Sequence, residues 1–107
     1  MNFGLSDKNY RILLDIIGNY VKSGSVVVYG SRAKGDFTDR SDIDIVIRDC
    51  NEINDATVSR MIDEIDESDF PYLADIRIYD DIKNNSLREH IDRAGIVFFS
   101  KETSSEK

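Results

Sequence analysis

The chain has no tryptophan, and one each of proline (Pro71), cysteine (Cys50) and histidine (His90) in 107 residues. A single cysteine excludes an internal disulfide and any zinc site built on cysteine pairs. Cys50 then reads as a small packing residue at a strand end, and a cytoplasmic setting is the simplest expectation. No apolar run approaches the roughly 20 residues of a membrane span. The start, Met1 to Asp7, lacks the basic and apolar stretches of a signal peptide. No membrane partner is expected. An excess of positive charge is missing as well: Lys+Arg is 14 against Asp+Glu 21, a formal charge of −7. Residues 1–50 are balanced, with seven basic and seven acidic side chains, so the whole excess lies in 51–107. Broad phosphate-backbone binding needs a basic face, and a nucleic-acid partner is not expected. Only Arg32, Lys34 and Arg40 fall close enough together for a local basic patch.

What is present fits one compact domain, 40% hydrophobic and 33% charged. Ser6 is an N-cap candidate before a stripe of Leu13, Ile16, Ile17 and Tyr20, which predicts a helix over 7–21. Residues 25–29 form a β-branched apolar run, a buried strand that Gly30 ends. Residues 30–41 read as loop with one helical turn after Gly30. Residues 42–48 alternate, with Ile43, Ile45 and Ile47 on one face and Asp42 and Asp44 opening the other. A second long helix spans 55–67, capped by Asn54 or Asp55. A strand at 73–79 follows, with Asp75 and Arg77 opposite Ala74, Ile76 and Ile78. Asp80 and Asp81 read as a turn or cap. Leu87, Ile91 and Ala94 mark a helix with Gly95 as its C′ residue. His90 beside that stripe reads as partly buried or at an interface. A strand at 96–99 comes last. The expectation is an α/β (α+β) fold: one small domain over 1–100, a mixed sheet with helices packed on it, and a polar tail over 101–107.

The chemistry lies in Tyr29 to Asp44. Asp42 and Asp44 are two apart on a strand and share a face. Two such carboxylates repel unless a cation sits between them. Hard divalent ions such as Mg²⁺ take oxygen ligands and are commonly held by one or two carboxylates plus phosphates. Asp75, on a later strand, adds a third acid. Three acids from two neighbouring strands could hold two metal ions, an arrangement suited to in-line displacement at phosphorus. Gly30-Ser31 after a strand lets a backbone approach a phosphate closely, with N–H groups and a hydroxyl to donate. Arg32 and Lys34 add positive charge. Two rival motifs fail. A P-loop wants Lys and Ser/Thr after Gly35, where Asp36 and Phe37 stand. A calcium loop from Asp36 wants Gly at 41, where Ser41 stands.

Gly30-Ser31, ten residues, then Asp42-Ile43-Asp44 resembles the signature of the DNA polymerase β-like nucleotidyltransferase superfamily. The wording Gly-Ser-Arg-Ala-Lys-Gly and Ser-Asp-Ile-Asp, with Ala74 to Asp80 and Glu89 to Arg93 further on, is similar to its smallest members. These are the minimal nucleotidyltransferase (MNT) proteins, often encoded beside a HEPN-domain protein. Four fixed residues at this spacing arise by chance in on the order of one in a thousand chains of this length.

The resemblance implies a polymerase β palm-like fold and transfer of a nucleoside monophosphate, AMP from ATP, to an acceptor hydroxyl. By the same resemblance Asp42, Asp44 and Asp75 are catalytic and ligate two Mg²⁺ ions, and Gly30, Ser31, Arg32 and Lys34 bind the nucleotide. It further implies the antitoxin of a HEPN/MNT toxin–antitoxin module, with the HEPN protein as acceptor. Larger relatives carry a second domain that this chain does not show, so a hetero-oligomer or homodimer is expected to complete the site. Two alternatives stand beside this: a non-catalytic module that neutralises its partner by contact, and a small-molecule enzyme of the antibiotic nucleotidyltransferase type.

Overall fold

The computed structural model describes residues 2–38 and 40–101. Asp39 and residues 102–107, which include most of the expected tail, lie outside the described residues. The order of elements is α1 (Asp7–Tyr20), β1 (Gly24–Tyr29), α2 (Ser31–Lys34), β2 (Ile43–Arg48), α3 (Asp55–Glu67), β3 (Ala74–Ile78), a 3-10 turn (Tyr79–Asp81), α4 (Asn85–Ala94) and β4 (Ile96–Lys101).

Each long helix starts on a side-chain cap. Ser6 Oγ accepts from the Asn9 N–H at 3.1 Å, Asn54 Oδ1 from Thr57 at 2.9 Å and Asn84 Oδ1 from Leu87 at 3.0 Å. Such a cap satisfies a donor that the helix itself leaves unpaired.

The sheet runs β3-β2-β1-β4. β1 is antiparallel to both β2 and β4, while β2 and β3 are parallel and joined across α3. The sheet is therefore mixed, as the alternation of elements implied. One face carries Val26, Val28, Ile43, Ile45, Ile47 and Ile76, packed on Leu13 and Ile17 of α1 and Met61 and Ile65 of α3. Ile43 and Ile45 are fully buried, and each such side chain contributes roughly 1.5–3 kcal/mol. The other face carries Val27, Tyr29 and Val46, covered by Tyr79, Ile82 and Ile91.

α4 is tied down by charge as well as packing. Asp92 accepts from Arg48 Nη1 at 2.7 Å and from the Tyr79 hydroxyl at 2.9 Å. The Tyr79 ring lies between the guanidinium groups of Arg48, at 3.9 Å, and Arg88, at 4.6 Å.

Two local expectations are refined. Gly95 ends α4 as expected, but in extended backbone, with φ −70° and ψ 147°, and not in the left-handed conformation common just past a helix. Glycine is required there by close approach, since a Cβ would lie 2.6 Å from Val27 Cγ1. The last strand extends past residue 99 to Lys101, which pairs with Gly24 and donates from Nζ to Gly18 O at 2.9 Å. Cys50 is buried, as a packing residue should be.

Candidate active site

Strand register brings the acids together. Asp44 of β2 lies opposite Asp75 of β3 and, on its other side, opposite Tyr29 of β1. Side chains of directly paired residues point the same way, so all three share the face that α4 covers only in part. Asp44 and Asp75 remain partly exposed and Asp42, one residue before β2, is exposed.

Gly30 turns the chain from β1 into α2 with φ 76° and ψ −155°. That region is open essentially to glycine alone. There is also no room for a side chain, because a Cβ at position 30 would lie 2.4 Å from Asp44 Oδ2. The Gly-Ser turn and the acidic strand are thus in contact. The first N–H groups of α2 have no partner within the helix, and Ser31 beside them is only half-buried.

Burial raises the Asp44 carboxyl above its ordinary value, and the negative charges of Asp75 and Asp42 raise it further, while Arg77 pulls it down. The Tyr29 phenol is also raised, first by burial; Arg77 opposes this, and Asp44 and Asp75 add to it. Asp44 therefore sits in a field that favours a bound cation or a proton.

Asp75 is engaged locally: its Oδ2 lies 3.4 Å from both Nε and Nη2 of Arg77. Among the described residues no three His, Cys, Asp or Glu side chains are gathered closely enough to hold a metal ion as they stand. The donor set nevertheless suits a hard cation, being all carboxylate oxygen with mutual repulsion to relieve. Lys34 is exposed, with its Nζ 3.9 Å from Asp36.

Arg32 is placed differently from the other basic residues. It is 1% exposed. Its Nε donates to Ser41 O at 3.1 Å and its Nη1 to Phe3 O at 2.9 Å. Its guanidinium carbon lies 4.2 Å from the Tyr72 ring centre and 5.0 Å from that of Phe37.

Beside Asp42 a hollow of about 540 Å³ is lined by Arg40, Asp42, Pro71, Tyr72 and Leu73. Leu73 is 64% exposed there. Another hollow, of about 330 Å³, lies along β3 and includes Arg77, Ile78 and Leu87 but none of the three acids.

Sequence reasoning passed over Tyr29 as a site residue, because its place beside Asp44 depends on strand pairing. The link between Arg77 and Asp75 was legible in the sequence, since residues two apart on a strand share a face.

This mixed sheet, with a Gly-Ser turn set against its acidic strand, has the polymerase β-like nucleotidyltransferase fold. The chain belongs to the family described as Polymerase beta, Nucleotidyltransferase, whose model matches residues 13–104. Among solved structures, one described as a toxin–antitoxin with AMP-PNP is similar over 92% of this chain and 77% of that chain. The TM-score is 0.70 at 15% identity, a likeness of fold. A Sulfolobus solfataricus protein provisionally designated a nucleotidyltransferase covers 91% of each chain at 21% identity, with a TM-score of 0.46. No curated protein matches the chain. Among the described residues no helix is long and apolar enough to cross a membrane.

Proposed function

We propose that this protein is a Mg²⁺-dependent nucleotidyltransferase that moves AMP from ATP to a protein acceptor, acting in the cytoplasm as the antitoxin of a HEPN-domain toxin. The observation that carries this reading is the contact between Gly30 and Asp44, with Asp75 paired beside Asp44. A turn able to approach a phosphate closely is built against the acids that would hold the Mg²⁺ offsetting its charge.

Asp42, Asp44 and Asp75 would hold Mg²⁺, which when bound supplies positive charge to the triphosphate and the acceptor oxygen. The chain's own contributions follow from placement. Gly30 lets the Asp44 carboxylate lie against the turn, so that the triphosphate would meet the backbone of the turn beside the acids. Ser31 donates its hydroxyl and the first-turn N–H groups donate beside it. Lys34 adds a positive charge. The acceptor oxygen bonds to the α-phosphorus, the bond from that phosphorus to the bridging oxygen breaks, and pyrophosphate leaves. The hydroxyl proton passes to Asp75. Positioning and charge neutralisation do most of the work in such transfers. The similar fold of a toxin–antitoxin structure holding AMP-PNP supports both the nucleotide and the class of partner. A second subunit or the acceptor itself would close the exposed side of the site.

A contact-only inhibitor is the second reading. It is favoured by the engagement of Asp75 with Arg77 and by the lack of a ready three-ligand cluster among the described residues.

The test uses the product of the neighbouring gene as acceptor, with Mg²⁺ and ATP labelled at the α-phosphate. Label and a matching mass increase on the partner, lost with Asp44→Asn, are expected. A tight complex without any adduct would replace the transferase with the contact-only reading.

A further inference from the structure

A buried guanidinium is costly unless its donors and its charge are answered. Arg32 is 1% exposed, yet no carboxylate lies within ion-pair distance of it among the described residues. Two main-chain carbonyls and two ring faces answer it instead, and its Nη2 has no partner among those residues. Stacking of this kind suits the flat, weakly hydrated guanidinium and not an ammonium.

The four partners come from three separate segments. Phe3 lies ahead of α1, Phe37 and Ser41 flank the turn before β2, and Tyr72 precedes β3. That turn is knitted within itself, since Thr38 N donates to Ser41 Oγ at 2.9 Å and Ser41 N to Thr38 O at 3.2 Å. Ser41 is the residue before Asp42. Its carbonyl is held by a side chain that starts next to Ser31, so one rigid group spans the Gly-Ser turn and the first acid. The Tyr72 ring brings in the approach to Asp75, and Ile43 N donates to Leu73 O at 2.9 Å alongside it.

From this geometry we infer that Arg32 is a positioning residue, which fixes Asp42 and the entry to β3 against the Gly30-Ser31 turn from behind the site and does not meet the triphosphate. The proposal rests on the nucleotidyltransferase reading. It differs from the sequence expectation that Arg32 would bind nucleotide. The cause is burial: all but 1% of the residue is covered and both committed donors point at backbone.

Amide hydrogen exchange on Arg32→Lys tests it without needing activity. Faster exchange confined to residues 3–5 and 38–43, with α3 and β1 unchanged, is expected. Exchange that rises evenly along the chain, or nowhere, overturns the proposal. Mn²⁺ titration followed by electron paramagnetic resonance adds a second readout, with affinity falling about tenfold in Arg32→Lys, as for groups that orient metal ligands. Methylguanidinium is expected to restore local protection and Mn²⁺ affinity to Arg32→Ala, and Arg32→Lys stands alone if that variant does not fold. Unchanged exchange with a KM for ATP raised about tenfold would make Arg32 a phosphate ligand. Absence of nucleotide transfer by the unaltered protein would sink the enzyme reading, while the exchange measurement would still decide the role of Arg32.

Discussion

Gly30 and Asp44 share one space: the carboxylate of Asp44 occupies the position that a side chain at residue 30 would need, with 2.4 Å between a Cβ there and Oδ2. Gly30→Ala therefore meets two obstacles, the clash and a backbone of φ 76°. Folding stability should fall by roughly 1–3 kcal/mol. Transfer should fall far more than the folded fraction, because Asp44 must move. Urea denaturation set beside the transfer rate measures both. A variant that keeps full activity would show that the contact is incidental.

Asp44→Asn should abolish transfer and stabilise the protein in the absence of metal. The Asp44 carboxyl is held above its ordinary value by burial and by Asp75 and Asp42. Its ionised form is therefore unfavourable in the fold. The stability linked to its proton is full at low pH and is lost as pH rises through the raised value. Because the group is half-exposed, solvent weakens the effect, and a gain of about 2–4 °C in Tm near neutral pH is the expected scale. The gain should vanish in acid. Mg²⁺ should raise the Tm of the unaltered protein and leave that of the variant where it was.

Arg77 competes with any cation for Asp75, at 3.4 Å from its Oδ2. An exposed pair of this kind is worth up to about 1 kcal/mol. Arg77→Ala should lower the Mg²⁺ concentration for half-maximal transfer by roughly threefold. A rise in that concentration would mean that Arg77 serves the site and does not compete with it.

Asp92 works in the opposite sense to Asp44. Hydrogen bonds from Arg48 and then Tyr79 hold its carboxyl below the ordinary value. The stability it provides is present at neutral pH and is lost as pH falls through that lowered value. Asp92→Asn should melt earlier than the unaltered protein at pH 7. The difference should shrink as the medium is acidified. Thermal melts across a pH series would read it.

Periodicity revealed most of the fold. Ile43, Ile45 and Ile47 marked a one-sided strand, Ser6 marked where α1 begins, and of the two cap candidates Asn54 and Asp55 the structure selects Asn54 for α3. Gly95 was legible as a glycine that mattered, but only half of its reason was: a Cβ there would meet the Ile91 carbonyl of its own helix and, equally closely, Val27 from β1. The acids were legible for the same reason as the strand, since alternation put Asp42 and Asp44 on one side. What alternation could not reveal was pairing. The place of Tyr29 beside Asp44, and of Asp75 on its other side, depends on register between strands far apart in sequence. Arg32 was harder still. A basic residue next to a Gly-Ser turn looks like an anion ligand, and only the carbonyls of Phe3 and Ser41 and the rings of Phe37 and Tyr72 turn it inward.

The parallel pairing of β2 with β3 also carries a consequence for how the chain becomes competent. Parallel neighbours cannot meet through a hairpin, so the chain must first travel the length of α3 before β3 can dock. Contacts of such long sequence separation close slowly compared with local ones. Asp42 and Asp44 are in hand with the β1–β2 hairpin; Asp75 is not. A chain stalled before β3 docks would hold two carboxylates and lack the third, so completing the acidic trio is itself a marker that β3 has docked.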